Sequence, residues 1–281
     1  MRKLDIPIYD ACLSLETCIS HLRDAGLRTK LTAIKPAVIA AETNYKNCGS
    51  NGTFFRIAEA TTVAGCVTVQ EMEKLYKGTF SRKKSRARQI YDEIKTASSI
   101  CPLCAQRDVS TLDHYLAQSR HPALTVTPAN LVPACLACNK AKLDRQPQNA
   151  EEQTLHPYFD EVDDEMWLFA RVLEDSPPIV RFTANPPTNW PIIKQERVKT
   201  HFRIFGLATL YSTHAASELV GIYLNLTRIA SHGGPDDLRH HLAEQQESRE
   251  AVTRNSWQGA MYKALSESDW FCTEGYKAIR A

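Results

Sequence analysis

No apolar run in the chain exceeds five residues, as in Ala37–Ala41, whereas a bilayer-spanning helix needs roughly 20. A transmembrane helix is therefore excluded. The N-terminal residues 1–7 also lack the long apolar stretch of a secretory leader, so a cytoplasmic location is expected. Internal repeats and low-complexity segments are missing, and the composition excludes disordered, collagen-like and coiled-coil chains. There is no P-loop and no dinucleotide glycine fingerprint, so any use of ATP would need another chain. None of the nine histidines begins a His-x-Glu pair, which argues against a zinc deaminase. His114 and His121 do not have the spacing of a Cys2His2 finger.

What is present suits a globular protein of 281 residues, 43% apolar and 23% charged, large enough to bury a core without disulfides. Its nine cysteines are unevenly placed. Cys12, Cys18, Cys48, Cys66 and Cys272 stand singly and read as small buried hydrophobes. Cys101, Cys104, Cys135 and Cys138 form two Cys-x-x-Cys pairs. The net charge of +2 conceals a division: residues 1–149 carry 21 Lys and Arg against 13 Asp and Glu, and residues 150–281 carry 13 against 19. A polyanionic partner would meet the basic first half.

Apolar spacing at Leu15, Ile19 and Leu22 predicts a helix over 10–23, stopped by Gly26, with a second over 32–45 and a turn at 49–52. Thr68 with Glu71 is a capping-box pattern. A longer helix is expected over 81–98, with Arg82, Lys83, Lys84, Arg86 and Arg88 in its first turns. Short strands are expected at 109–115 and 124–127, then a helix over 134–142 and strands at 166–173 and 179–183. Beyond the proline-rich segment 185–191 the pattern is nearly all helical, with breaks near Gly206, Gly233–Pro235 and Ser256. Trp167, Trp190, Trp257 and Trp270 lie among apolar neighbours and are expected in the core. The expected fold is α+β and mostly helical, with three regions: 1–99, helical and basic; 100–145, small and metal-rich; 146–281, acidic and mainly helical.

Four thiolates at the spacing Cys101-x2-Cys104 and Cys135-x2-Cys138 complete a tetrahedral zinc site with no open position, which makes the zinc structural. Between and after the pairs stand Leu112-Asp113-His114-Tyr115, Asn130-Leu131-Val132-Pro133 and Asn139-Lys140-Ala141-Lys142. Over residues 101–142 the order and approximate spacing of these types resemble an HNH endonuclease of the ββα-metal class with a supporting zinc. Hydrolysis of a phosphodiester needs an activated water and a divalent cation. His114 is the natural general base. Asp113, alternating with it along a strand, and Asn139 are candidate ligands of Mg2+ or Mn2+. A helix from Cys135 would place Cys135 and Cys138 on one face and Asn139 about 100° further round. The resemblance implies that Asn130 fixes the loop and orients the base, and that cleavage leaves a 3′-hydroxyl and a 5′-phosphate. Lys140 and Lys142, with the basic run from Arg82 to Arg88, are candidate phosphate contacts.

Three departures from the family pattern, spread over four residues, remove no reacting group. Leu116 and Ala117 stand where a proline is common, Asn139 where many members have histidine, and Leu143 where glycine is frequent. The segment 156–160 (His-Pro-Tyr-Phe-Asp) and the helical tail opening at 197–201 are similar to the HNH subunit of Septu-type and retron-linked phage-defence systems. That likeness implies a separate ATPase partner. The expected activity is thus a metal-dependent nuclease acting on DNA, as the effector of an anti-phage complex. Two alternatives stay open: the same chemistry on RNA, and a zinc-stabilised nucleic-acid-binding or assembly module with a dormant site. The sequence leaves homo-oligomerisation open.

Overall fold

Aspartates open the first two helices. Asp10 Oδ1 accepts from the Leu13 N–H at 2.7 Å at the start of α1 (Ala11–Ile19), and Asp24 Oδ1 accepts from the Leu27 N–H at 2.9 Å at the start of α2 (Ala25–Ala33). Such caps satisfy N–H groups that have no intrahelical partner. Gly26 therefore sits in the first turn of a new helix rather than ending the previous one. With Pro36 in its first turn, α3 (Lys35–Ser50) runs through Gly49, so the turn expected at 49–52 begins only after Ser50. A two-residue hairpin, β1 (Thr62–Val63) and β2 (Val67–Thr68), leads into α4 (Val69–Leu75). The reciprocal Thr68–Glu71 bonds of the capping box, at 2.9 and 3.2 Å, hold the start of α4.

The helix expected from Ser81 begins later, as α5 (Arg88–Thr96). A π-turn over Tyr76–Phe80 continues α4, closed by the Ser81 N–H on the Tyr76 carbonyl at 2.9 Å, and 81–87 is irregular. Consecutive cations in a first helical turn would face the positive end of the helix dipole; the chain leaves Arg82–Arg86 in turns instead.

Next come β3 (Thr111–His114) and β4 (Leu131–Ala134), antiparallel with Asp113 opposite Val132 and Leu112 opposite Pro133. Pro133 is tolerated because, among the described residues, β4 pairs with β3 alone. The strand expected at 124–127 is absent; short 3-10 turns at Pro122–Leu124 and Pro128–Asn130 fill that connection. The helix α6 (Leu136–Lys142) follows β4 directly.

The structure, a computed structural model, describes residues 1–279 and divides into two compact units, Met1–Glu161 and Val162–Ala281. One apolar cluster runs through the first unit from Leu15, Leu31, Val38, Met72 and Phe80 to Leu112, Val126 and Leu131, so the helices before residue 100 and the segment after it share a core. Beside it, His156 packs its ring among Tyr45, Phe54, Tyr115 and Phe159, and the Tyr45 hydroxyl meets its Nε2 at 2.9 Å. The segment 156–160 is thus part of the interior. Of the single cysteines, Cys18 and Cys272 are buried as expected, Cys12 and Cys48 half-buried, and Cys66 exposed.

The second unit consists of a hairpin, β5 (Leu168–Leu173) and β6 (Ile179–Ala184), with α7 (Ile192–Ile204), α8 (Leu207–Glu250), α9 (Trp257–Ser266) and α10 (Asp269–Thr273). The expected breaks occur: Gly206 is left-handed, α8 bends at Gly234 (φ 75°) before Pro235, and Ser256 caps α9. Asn255 ties the hairpin to the helices, accepting from the N–H groups of Trp167 and Leu168 at 2.8 and 3.1 Å. Trp167, Trp190 and Trp257 are buried, and Trp270 is half-buried. The fold is α+β and mostly helical, and among the described residues no helix is long and apolar enough to cross a membrane.

Candidate functional site

Each Cys-x-x-Cys pair comes from a tight local turn. After Cys101 the chain reverses through Ala105, whose N–H bonds the Cys101 carbonyl at 2.8 Å and whose φ of 51° lies in the left-handed region. Cys135 is the N-cap of α6, its Sγ accepting from the Cys138 N–H at 3.3 Å; Cys104 Sγ accepts likewise from the Arg107 N–H at 3.4 Å. All four thiols are buried, with their sulfurs within 4.8 Å of one another. Four sulfurs 2.3 Å from a tetrahedral zinc lie about 3.8 Å apart, so the cluster fits a metal ion such as zinc. Crowding divides the protons: hydrogen bonding from Cys101 lowers Cys104 well below the ordinary thiol range and Cys135 to about 6, while Cys101 and Cys138 are pushed up. A divalent cation removes this conflict by letting all four ionise.

From the same elements rises a cavity of about 460 Å3, lined by Asp113 and His114 of β3 and Asn139 of α6. One helix therefore offers Cys138 to the thiol cluster and Asn139 to the cavity. His114 Nε2 lies 2.8 Å from the Thr125 carbonyl oxygen. A carbonyl only accepts, so Nε2 carries the proton and Nδ1 is the ring's acceptor. Burial pushes the imidazole down to about 4, against the opposing pull of the Thr125 carbonyl. His114 is thus neutral near pH 7, as a general base must be.

Asp113 is buried, which pushes its carboxyl up to about 6, and Lys142 opposes that shift from 3.4 Å. Lys142 corrects the sequence expectation of a phosphate contact. It is only 5% exposed, and its Nζ donates to the carbonyls of His114 and Tyr115 at 2.8 and 3.1 Å. A buried ammonium needs such partners. It braces the end of β3 from behind the cavity. Asn130 is fully buried: its Oδ1 accepts from the Leu116 N–H at 2.8 Å, and its Nδ2 donates to the carbonyls of Leu116 and Leu124 at 3.0 and 3.3 Å. These bonds tie the strand's exit to the loop that holds Thr125, and so set the carbonyl that meets His114.

Among the other expected phosphate contacts, Lys140, Arg82, Lys83, Lys84 and Arg86 are exposed. Arg88 is not free. Its guanidinium donates to Ser81 O at 2.6 Å and Asp92 at 2.8 Å and lies over the Tyr91 ring at 4.3 Å. The cavity also has lining residues that no motif marked: Glu73, Gln118 and Asp144. Asp144 and Gln118 stand close to motif residues, a signal of proximity alone; Glu73 comes from α4, which only the tertiary fold brings near. Gln118 Oε1 is buried without a partner. Three carboxylates, two amides and no Lys or Arg line this acidic cavity, and each carboxylate has a cation beside it: Glu73 has Lys77 at 3.2 Å, Asp113 has Lys142 at 3.4 Å and Asp144 has Arg120 at 3.9 Å.

The chain is 28% identical over 230 residues to Protein ea31 of Escherichia phage lambda, an alignment that covers 78% of each chain. No family profile matches the chain, and no solved structure matches it.

Proposed function

We propose that the protein is a metal-dependent endonuclease of the HNH type that hydrolyses phosphodiester bonds in DNA. The observation that carries this reading is the convergence of Asp113, a neutral His114 and Asn139 on one acidic cavity beside a buried four-cysteine cluster. Zinc at the cysteines would be scaffold, pinning α6 to the turn at 101–105. Asp113 and Asn139 would hold a catalytic Mg2+ or Mn2+, with Gln118 in reach of the same cavity. Such an ion supplies charge stabilisation to the phosphate and the leaving oxygen.

The residues of the chain do the rest. Thr125 fixes the His114 tautomer, so that Nδ1 takes the proton of the attacking water. Lys142 keeps the Asp113 carboxylate turned to its place, and Asn130 keeps the loop and the strand in register. A two-variant experiment separates nuclease from dormant binding module: Asp113→Ala with Asn139→Ala should abolish cleavage and leave nucleic-acid binding within about threefold. Cleavage that survives in His114→Ala contradicts the proposal.

A separate ATPase partner and an anti-phage role extend the proposal on the resemblance alone. The two segments behind that likeness are packed inside the fold: His156 is fully buried, and Arg197, Val198 and His201 of α7 are buried as well. Protein ea31 is itself a phage protein, and lends an anti-phage role no support. Recovery of an ATPase chain with the tagged full-length protein from its native host is the expected result if the extension holds.

A further inference from the structure

A second cavity, about 580 Å3, lies on the other side of the segment that walls the acidic one. Along 73–82 the chain alternates between the two. Glu73, Tyr76 and Ser81 line the acidic cavity, whereas Lys74, Gly78 and Arg82 line the second. The second is lined by cations. Arg23, Lys74, Arg82 and Lys84 converge on it, all exposed and, among the described residues, none in an ion pair, while other cations of this unit such as Lys30, Lys77 and Arg120 are paired with carboxylates. Its single acid, Asp24, is the N-cap of α2. The loop that carries Arg82 and Lys84 is anchored, because the Arg86 N–H donates to His21 Nε2 at 3.1 Å.

We propose that this basic cavity holds the sugar-phosphate backbone of a nucleic acid whose cleaved bond lies in the acidic cavity. The placement of the cleaved bond rests on the nuclease reading; the binding does not. The cations beside the acidic cavity, Lys77, Lys142 and Arg120, are spent on its carboxylates, so affinity for a polyanion has to be supplied nearby. Four point charges on exposed side chains read charge rather than bases, so binding is insensitive to sequence.

Fluorescence anisotropy of a labelled 30-base-pair DNA duplex, and of a 30-nucleotide RNA, without added magnesium tests this directly. The variant R23Q/K74Q/R82Q/K84Q is expected to bind roughly tenfold or more weakly, with a duplex salt slope shallower by about 3.6, at about 0.9 per phosphate lost. Arg82→Gln alone should remove about a quarter of that slope. The control R171Q/R181Q/R203Q/R228Q removes the same charge from exposed positions of the second unit and should change affinity less than twofold. Equal zinc content and thermal midpoint show that the variants are folded. The polymer on which the loss appears identifies the ligand as DNA or RNA. The proposal is overturned if the wild type binds neither polymer, if the fourfold variant binds like wild type, or if the control loses as much. Cleavage by His114→Ala would sink the nuclease reading and leave this binding comparison standing.

Discussion

His114 can act as a base only while its ring is neutral, and burial secures that. Its pKa of about 4 lies below the unfolded value near 6.5. Above pH 6.5 the ring is neutral in both states. As pH falls towards 4 the unfolded chain takes up a proton that the folded chain refuses, so this residue's contribution to stability is lost on the acid side. NMR titration of the His114 ring should give a midpoint well below 6.5; a value at or above 6.5 contradicts the half-buried, carbonyl-bonded geometry. Two of the three non-glycine residues with positive φ, the third being Ala64, lie in or next to the motif. Ala105 (φ 51°) and Leu143 (φ 52°, ψ −141°) occupy backbone regions that favour glycine. Leu143 is also largely exposed, so little packing is lost on its removal. Leu143→Gly and Ala105→Gly are each expected to stabilise the protein by about 1 kcal/mol in urea unfolding; a loss of stability in either contradicts the strain.

At the scale of elements, β3, β4 and α6 form one unit held at its two ends by different chemistry. At one end are four thiols, at the other Asn130 and Lys142. Asn130→Ala removes three hydrogen bonds from buried groups and should cost about 3 kcal/mol, read as a lowered urea midpoint. Cys135→Ser, or removal of zinc by a chelator, should cost on the order of 5 kcal/mol and loosen this unit first, seen as fast amide exchange over 111–142. Much of this region was legible in the sequence because metal-ligand spacing and helix phase are local properties. The Cys-x-x-Cys pairs, the alternation at Asp113–His114 and the phase of Asn139 on α6 all depend on neighbours a few residues away. What was not legible depends on distant packing. Lys142 reads as a surface cation until Asp113 and the carbonyls of β3 close around it. Glu73 joins the cavity only because α4 packs there, and the π-turn at 76–80, which displaces the basic run from its expected helix, has no spacing signal. The strand expected at 124–127 failed because Pro122 and Pro128 set turns on either side of it.

Across the whole molecule, every residue of the proposed chemistry lies in Met1–Glu161. A fragment of residues 1–161 is expected to fold, retain its metal and keep the nuclease activity of the full chain within about tenfold, checked by metal content and plasmid cleavage. The charge division is weaker at this boundary: residues 1–161 carry 21 Lys and Arg against 17 Asp and Glu, and residues 162–281 carry 13 against 15. Tight packing in this unit is testable far from the site: a Cβ at Gly49 would lie 2.8 Å from the Phe159 ring. Gly49→Ala should therefore cost about 1–3 kcal/mol without changing metal content. The central claim is the nuclease, and supercoiled-plasmid nicking by the zinc-loaded protein tests it most directly, with Mg2+ or Mn2+, with the ion withheld, and beside His114→Ala. The expected result is nicking that requires the ion and falls at least a hundredfold in the variant. Nicking that persists undiminished in His114→Ala, or without the ion, would contradict the account.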